Sequence, residues 1–256
     1  MADWSQTWTF FEGEWHEGNV PLWGVRTHAI WLGSSVFDGA RVFEGVAPDL
    51  DLHCTRVNAS AKSMHLKPLV STDEWMGFAR DGIRKFAANT AVYVRPMYWA
   101  ERAGPLSLPG DPESTRFALS LYDVPMKQPT GFSITLSPYR RPAPETAPLD
   151  AKAGCLYPNN ARAMLEAKSR GFDNCVVCDL VGNVAELANS NLFIVKTASC
   201  ARRSPTARSF PASRAGASSA CCAAPASRCA RTCCAMPTSP RPTRYSRPAM
   251  PRRCCR

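Results

Sequence analysis

From Thr197 to Arg256 the chain contains no valine, isoleucine or leucine, and 60 residues so composed have no means of building a hydrophobic core. Alanine, arginine, serine, proline and cysteine make up 50 of them, and eight prolines would interrupt helices and sheet ladders alike. Core formation is therefore expected within residues 1–196. Charge divides at the same place. The tail holds 12 arginines and no acid, whereas residues 1–196 hold 19 Lys and Arg against 21 Asp and Glu, so the formal charge of +10 belongs to the tail. Cysteine follows suit. Only Cys54, Cys155, Cys175 and Cys178 precede residue 197, a usage that suits a reducing compartment. Met1 to Phe11 has neither a basic start nor an apolar run, and no stretch of about 18 apolar residues occurs, so a cytoplasmic protein without membrane contact is expected.

The tail admits three readings. Twelve arginines could bind nucleic acid nonspecifically. The doublets at Cys221, Cys233 and Cys254 could be offered to a metal, but adjacent cysteines seldom reach one tetrahedral ion, and no metal site is expected. The third reading is a coding sequence translated out of register. If each hidden codon takes the last base of one tail codon and the first two of the next, Pro205 to Ala215 permits Pro-Asn-Gly-Thr-Phe-Leu-x-Gly-Ile-Thr-Arg. Met236 to Met250 likewise permits Tyr-Ala-Asp-Phe-x-x-Ala-Asp-Glu-Ile-Phe-Ser-Thr-Gly-Asn. The hidden frame reads like folded protein, and a frame change near Val195 to Ala198 accounts for the composition.

Within the body, Trp8 to Val20 reads as a hairpin around Glu12 and Gly13, and Val57 to Met64 as a helical stretch. Asp73 to Phe86 reads as a helix capped by Thr72, while Ala91 to Trp99 and Arg116 to Tyr122 read as strands. Pro125, Pro129 and Gly131 punctuate the chain. Phe132 to Leu136 then begins a further strand, Arg140 to Pro148 is a proline-rich loop, and Asn159 to Ser169 is a helix. A meander follows over Asn174 to Ala185 and Asn191 to Lys196, with Gly182 and Asn183 as its first turn. The expected organisation is a smaller α/β domain over 1–124, a linker at 125–131, an incomplete larger domain over 132–196, and a non-native or disordered tail over 197–256.

Two motifs carry the chemistry. One is Ala-Lys-Ala-Gly-Cys-Leu-Tyr-Pro-Asn-Asn-Ala-Arg at 151–162. The other is Gly-Asn-Val-Ala-Glu-Leu-Ala-Asn-Ser-Asn-Leu-Phe at 182–193. With Ser-Ser-Val-Phe-Asp-Gly-Ala-Arg at 34–41 and Tyr-Val-Arg-Pro at 93–96, they resemble the class IV pyridoxal-phosphate aminotransferases, the group that contains the branched-chain amino-acid aminotransferases. The resemblance covers residues 8–196 and reaches into the hidden frame, where Gly-Ile-Thr-Arg and Ser-Thr-Gly-Asn look like that family's phosphate-binding turns.

The resemblance implies a two-domain α/β (α+β) fold of the fold type IV aminotransferase kind, with the larger domain truncated here. It makes Lys152 the catalytic and Schiff-base lysine, set among small residues at the end of a strand, against the bland reading of a solvated surface lysine. It pairs Glu186 with the cofactor's pyridine nitrogen and Tyr157 with its phenolic oxygen. It assigns Arg56, within His-Cys-Thr-Arg-Val-Asn-Ala-Ser-Ala-Lys, to the phosphate. A strand glutamate, a core tyrosine and an exposed helix arginine are the competing readings. Phe37, Tyr93 and Arg95 resemble the family's substrate side, an apolar wall beside groups for a carboxylate. Trp31-Leu32 and Ala103-Gly104-Pro105 depart from the branched-chain pattern.

The implied function is transamination of a branched-chain or similar amino acid with 2-oxoglutarate through pyridoxal phosphate. It would be performed by a homodimer that takes amino and 2-oxo acids and no specific nucleic acid, and would be impaired in this chain. A D-amino-acid aminotransferase or an aminodeoxychorismate-lyase-like enzyme would keep Lys152 and Glu186 but alter Tyr93 and Arg95. An inactive product with a basic tail is the reading of another class.

Overall fold

The computed structural model describes residues 4–126, 130–196 and 199–202; the expected tail beyond residue 202 and part of the expected linker lie outside the described residues. Strands β1 (Thr7–Phe11) and β2 (Glu14–Glu17) form the expected hairpin, closed by Glu12 and Gly13, both at positive φ. A short helix α1 (His28–Leu32) ends at Gly33 in the left-handed conformation. After it come β3 (Ser35–Phe37), β4 (Ala40–Val42), and helices α2 (Leu50–Ser63) and α3 (Thr72–Ile83). The long strands β5 (Val92–Ala100) and β6 (Thr115–Asp123) complete an antiparallel sheet in the order β2-β1-β6-β5-β3, with β4 also on β5.

Helix α2 is longer than its sequence signal because Leu50, His53 and Cys54 extend the buried stripe toward the N-terminus. The cap of α3 is Ser71, not Thr72. Its side chain accepts from Glu74 N at 3.2 Å while Glu74 Oε2 accepts from Ser71 N at 2.8 Å, a reciprocal capping box. Both helices lie on one face of the sheet, around a core that includes Val57, Ala61, Trp75, Val94, Leu119 and Leu121.

The pairing of β3 and β4 with β5 governs the site. Phe37 lies opposite Met97 and Ala40 opposite Val94, so the register continues unbroken across Asp38 and Gly39. Those two residues fall opposite Pro96 and Arg95. The ladder lapses there because Pro96 has no N–H to donate, although its carbonyl still accepts from Asp38 N at 3.0 Å. Period-two alternation then turns Val36, Asp38, Ala40 and Val42 toward the helices, and all four are buried. Phe37, Gly39 and Arg41 turn to the opposite face.

Beyond the sheet, β7 (Ile134–Arg140), α4 (Tyr157–Ser169) and β8 (Asn174–Cys178) form a parallel crossover with α4 packed on both strands. Helix α4 begins two residues before the expected start, with Pro158 in its first turn, where a missing N–H costs nothing. Strand β9 (Val184–Leu187) pairs antiparallel with β8 across a turn in which Gly182 has φ 94. The expected meander stops there. Strand β10 (Phe193–Lys196) pairs with β11 (Ser199–Arg202), and no pairing with β9 occurs among the described residues. The whole is a mixed α/β fold.

Candidate active site

Lys152 lies in a loop laid along β3, not at a strand end, and its backbone is held from two sides. Its N–H donates to Ser60 Oγ of α2 at 3.0 Å, and its carbonyl accepts from Phe37 N at 3.1 Å. Ala153 bridges Val36 directly after it. Ala151 and Ala153 are buried on either side, so small residues are needed to bring this strip of backbone against the sheet. The Lys152 ammonium donates to the Tyr157 hydroxyl at 2.7 Å and lies 4.9 Å from the Phe37 ring centre. Phe37 and Tyr157 pack in turn at a tilt of 46°, with ring centres 5.1 Å apart. The loop from β7 leads into α4 so soon after Lys152 that the lysine and Tyr157 reach one point.

Lys152, Tyr157, Arg56 and Glu186 all line a single cleft of about 430 Å³ between the two sheets. Glu186 stands on β9 and pairs through Oε1 with Arg141 Nη1, a guanidinium whose side chain is only 10% exposed. Burial pushes the Arg141 pKa down from its ordinary value, and its buried Nε has no hydrogen-bond partner. The lining also includes Gly39, Arg41, His53 and the segment from Leu187 to Asn191.

Arg56, also in the lining, closes a fork on Asp38, with Nε to Oδ2 at 2.6 Å and Nη2 to Oδ1 at 2.7 Å. His53 Nδ1 lies 2.7 Å from the same Oδ1, and Gly39 N donates to it as well. Burial would raise the Asp38 carboxyl. The hydrogen bonds from Arg56 and His53 outweigh that penalty and hold it at about 2. Arg56 is raised by the reciprocal pairing against its own burial.

The substrate-side residues are brought together only in part. Phe37 touches the lysine, but Tyr93 and Arg95 lie on the same face of the sheet without lining the cleft. Arg95 donates from Nη2 to the Tyr122 hydroxyl and lies 5.4 Å over Tyr93. The Tyr93 hydroxyl abuts Gly39, where an added Cβ would come within 1.8 Å of it, so glycine is required at this wall of the cleft. Burial raises the Tyr93 pKa. Sequence reasoning gave no role to Asp38, His53, Arg41 or Arg141. A signal for Asp38 was available, since an acid sits in the otherwise apolar alternating row Val36, Ala40, Val42.

Comparison with known proteins gives a consistent result. The family model described as amino-transferase class IV matches residues 35–203, more than half of the chain. A probable branched-chain-amino-acid aminotransferase of Rickettsia typhi is 30% identical over 173 residues, covering 67% of this chain and 59% of its own length. The branched-chain-amino-acid aminotransferase of Escherichia coli K12 is 30% identical over 196 residues, 71% of this chain and 63% of its own. The chain thus spans less than two thirds of these curated relatives. Among solved structures, an aminotransferase from Brucella abortus bound to the cofactor PLP superposes with a TM-score of 0.79 at 48% identity, over 80% of this chain and 74% of the other. The Escherichia coli branched-chain enzyme superposes at 0.73 with 26% identity, over 84% and 73%. On the matched span and on this fold, the chain belongs to the class IV aminotransferases.

Proposed function

We propose that this chain is the greater part of a pyridoxal-phosphate-dependent aminotransferase that moves an amino group between an apolar, branched-chain-like amino acid and 2-oxoglutarate. The observation that carries the reading is the convergence of the Lys152 ammonium, the Tyr157 hydroxyl and the Glu186 carboxylate on one cleft from three separate elements. The residues fit the cofactor. The Glu186 carboxylate and the Arg56 guanidinium both line the cleft, and the buried, unpartnered Arg141 Nε belongs to the guanidinium that meets the carboxylate. Arg56 and His53 would take the phosphate, Tyr157 the phenolic oxygen, and Glu186 the pyridine nitrogen. What pyridoxal phosphate supplies when bound is an electron sink, which a carboxylate at its nitrogen sustains.

Lys152 then has two tasks: it holds the cofactor, and its amine carries a proton to and from the substrate Cα. Tyr157, hydrogen-bonded to that amine, orients it and can accept or return a proton. Phe37 and the Tyr157 ring screen the amine from water on one side.

Ile30 and Trp31 of α1 are exposed, as is Leu108, whose carbonyl meets His28 of the same helix, an apolar surface suited to a second copy of the chain and in keeping with a homodimer.

Borohydride reduction after loading with pyridoxal phosphate, followed by peptide mapping, tests the reading. The pyridoxyl group should be found on the peptide containing Lys152. A label on exposed Lys168 instead would overturn the assignment.

A further inference from the structure

Asp38 stands in the core row of a strand pair, fully buried, at a position whose neighbours in the row are Val36, Ala40 and Val42. A lone carboxylate there would cost several kcal/mol. Apolar residues would fill the row at no such cost, and nothing about the sheet itself calls for an acid. What the acid does is visible across the interface. It takes the Nε–Nη2 edge of Arg56 side-on, through two separate oxygens, and it receives His53 from one turn earlier on the same helix. Its own position is fixed by Asp38 N on Pro96 O and by Gly39 N on Oδ1. Two cleft-lining side chains of α2, the Arg56 guanidinium and the His53 imidazole, are thus oriented by an anion rooted in the sheet, on the side away from the cleft.

We propose that Asp38 is a positioning residue that sets Arg56 and His53 to receive the phosphate of a phosphorylated cofactor. The proposal rests on the cofactor reading above. Arginine recognises phosphate through a planar fork, so a guanidinium that rotates loses the match, whereas one pinned along Nε–Nη2 keeps its plane in one orientation. Preorganisation of this kind stabilises binding by cutting the ordering cost paid on association. The carboxylate also keeps the cluster from accumulating uncompensated positive charge when the cleft holds no anion.

The test compares pyridoxal phosphate with pyridoxal, which lacks the phosphate, by fluorescence titration of the full chain and of its frame-restored counterpart. Asp38→Asn should weaken pyridoxal phosphate on the order of tenfold to a hundredfold, with pyridoxal unchanged within about twofold. Because Asp38→Asn removes a buried charge, Asp38→Glu serves as a second variant. It keeps the charge and displaces it by one methylene, so a smaller loss confined to the phosphorylated form is expected even if the asparagine variant does not fold. An equal loss of both ligands would assign Asp38 a purely structural role and overturn the proposal. Unchanged or tighter binding of pyridoxal phosphate would overturn it too, the latter by making Asp38 a competitor of the phosphate. If neither unsubstituted protein prefers pyridoxal phosphate over pyridoxal, Arg56 is not the phosphate anchor and both readings fall. If it discriminates and the variants discriminate equally, only the role of Asp38 falls.

Discussion

Glu186 and Arg141 show how much one half-buried pair settles at the residue level. Their side chains are 24% and 10% exposed, and they meet from segments 45 positions apart. Breaking this half-buried pair by neutralising one partner leaves the other charge partly desolvated and uncompensated, at a cost of about 1 to 3 kcal/mol. Glu186→Gln should therefore lower thermal stability as well as activity. Cofactor should still bind, because the phosphate and lysine contacts remain, but kcat should fall by orders of magnitude, since the lost charge acts on the transition state. A melting curve and a turnover assay on one preparation separate the two effects. Near-normal turnover would remove Glu186 from the chemistry.

Among the elements, α2 has the largest consequence, because a single buried stripe carries both core and site. Val57 and Ala61 pack into the sheet, while His53, Arg56 and Ser60 address Asp38 and the Lys152 backbone. Helix α3 supports α2 from the side away from the cleft and contributes no site residue, so damage to it should be felt as stability alone. Ser71→Ala, which removes one half of the capping box, should cost about 1 kcal/mol in denaturant unfolding and leave cofactor affinity unaltered. A change in affinity would mean that α3 sets the position of α2 more tightly than their packing implies. The indole of Trp75, hydrogen-bonded to Asn58 and to the Tyr98 hydroxyl, is the main tie between the two helices and β5, and burial raises the Tyr98 pKa to about 12.

For the whole molecule, the second sheet is the exposed part. Ile134 and Leu136 of β7 and Leu180 and Val181 of the β8–β9 turn are exposed, and the outer edges of β7 and β9 have no partner strand among the described residues. Apolar surface and open edges of this kind promote aggregation. On the reading that the frame changes near Val195 to Ala198, the hidden segments supply both the missing cover and further phosphate-binding turns. The 256-residue chain should then be poorly soluble and without measurable transaminase activity. Two or three lost charge-assisted hydrogen bonds, at roughly 1.5 to 3 kcal/mol each, would weaken cofactor binding on the order of a thousandfold. The frame-restored chain should be soluble, yellow, dimeric and active. Side-by-side expression decides it: a soluble, cooperatively melting 256-residue protein that transaminates branched-chain substrates would refute this account of the tail.

The sequence by itself determined what depends on neighbours along the chain. The Glu12-Gly13 turn, the alternation through β5 and the position of α3 follow from local preference and periodicity, and the two motifs around Lys152 and Glu186 were legible as residue order. It misplaced what depends on partners far away. Residue order joins β10 to a meander whose third pairing is made elsewhere, whereas the α3 cap is a local miss, since only Ser71 and not Thr72 has a glutamate three residues on to close the box. Only the tertiary structure decided that Asp38 faces Arg56, that Arg141 meets Glu186, and that Ser60 anchors Lys152 across 92 residues. Each joins groups whose attraction is strong only once water has been excluded, and that exclusion is a property of the packed sheet and helix, not of any segment read alone.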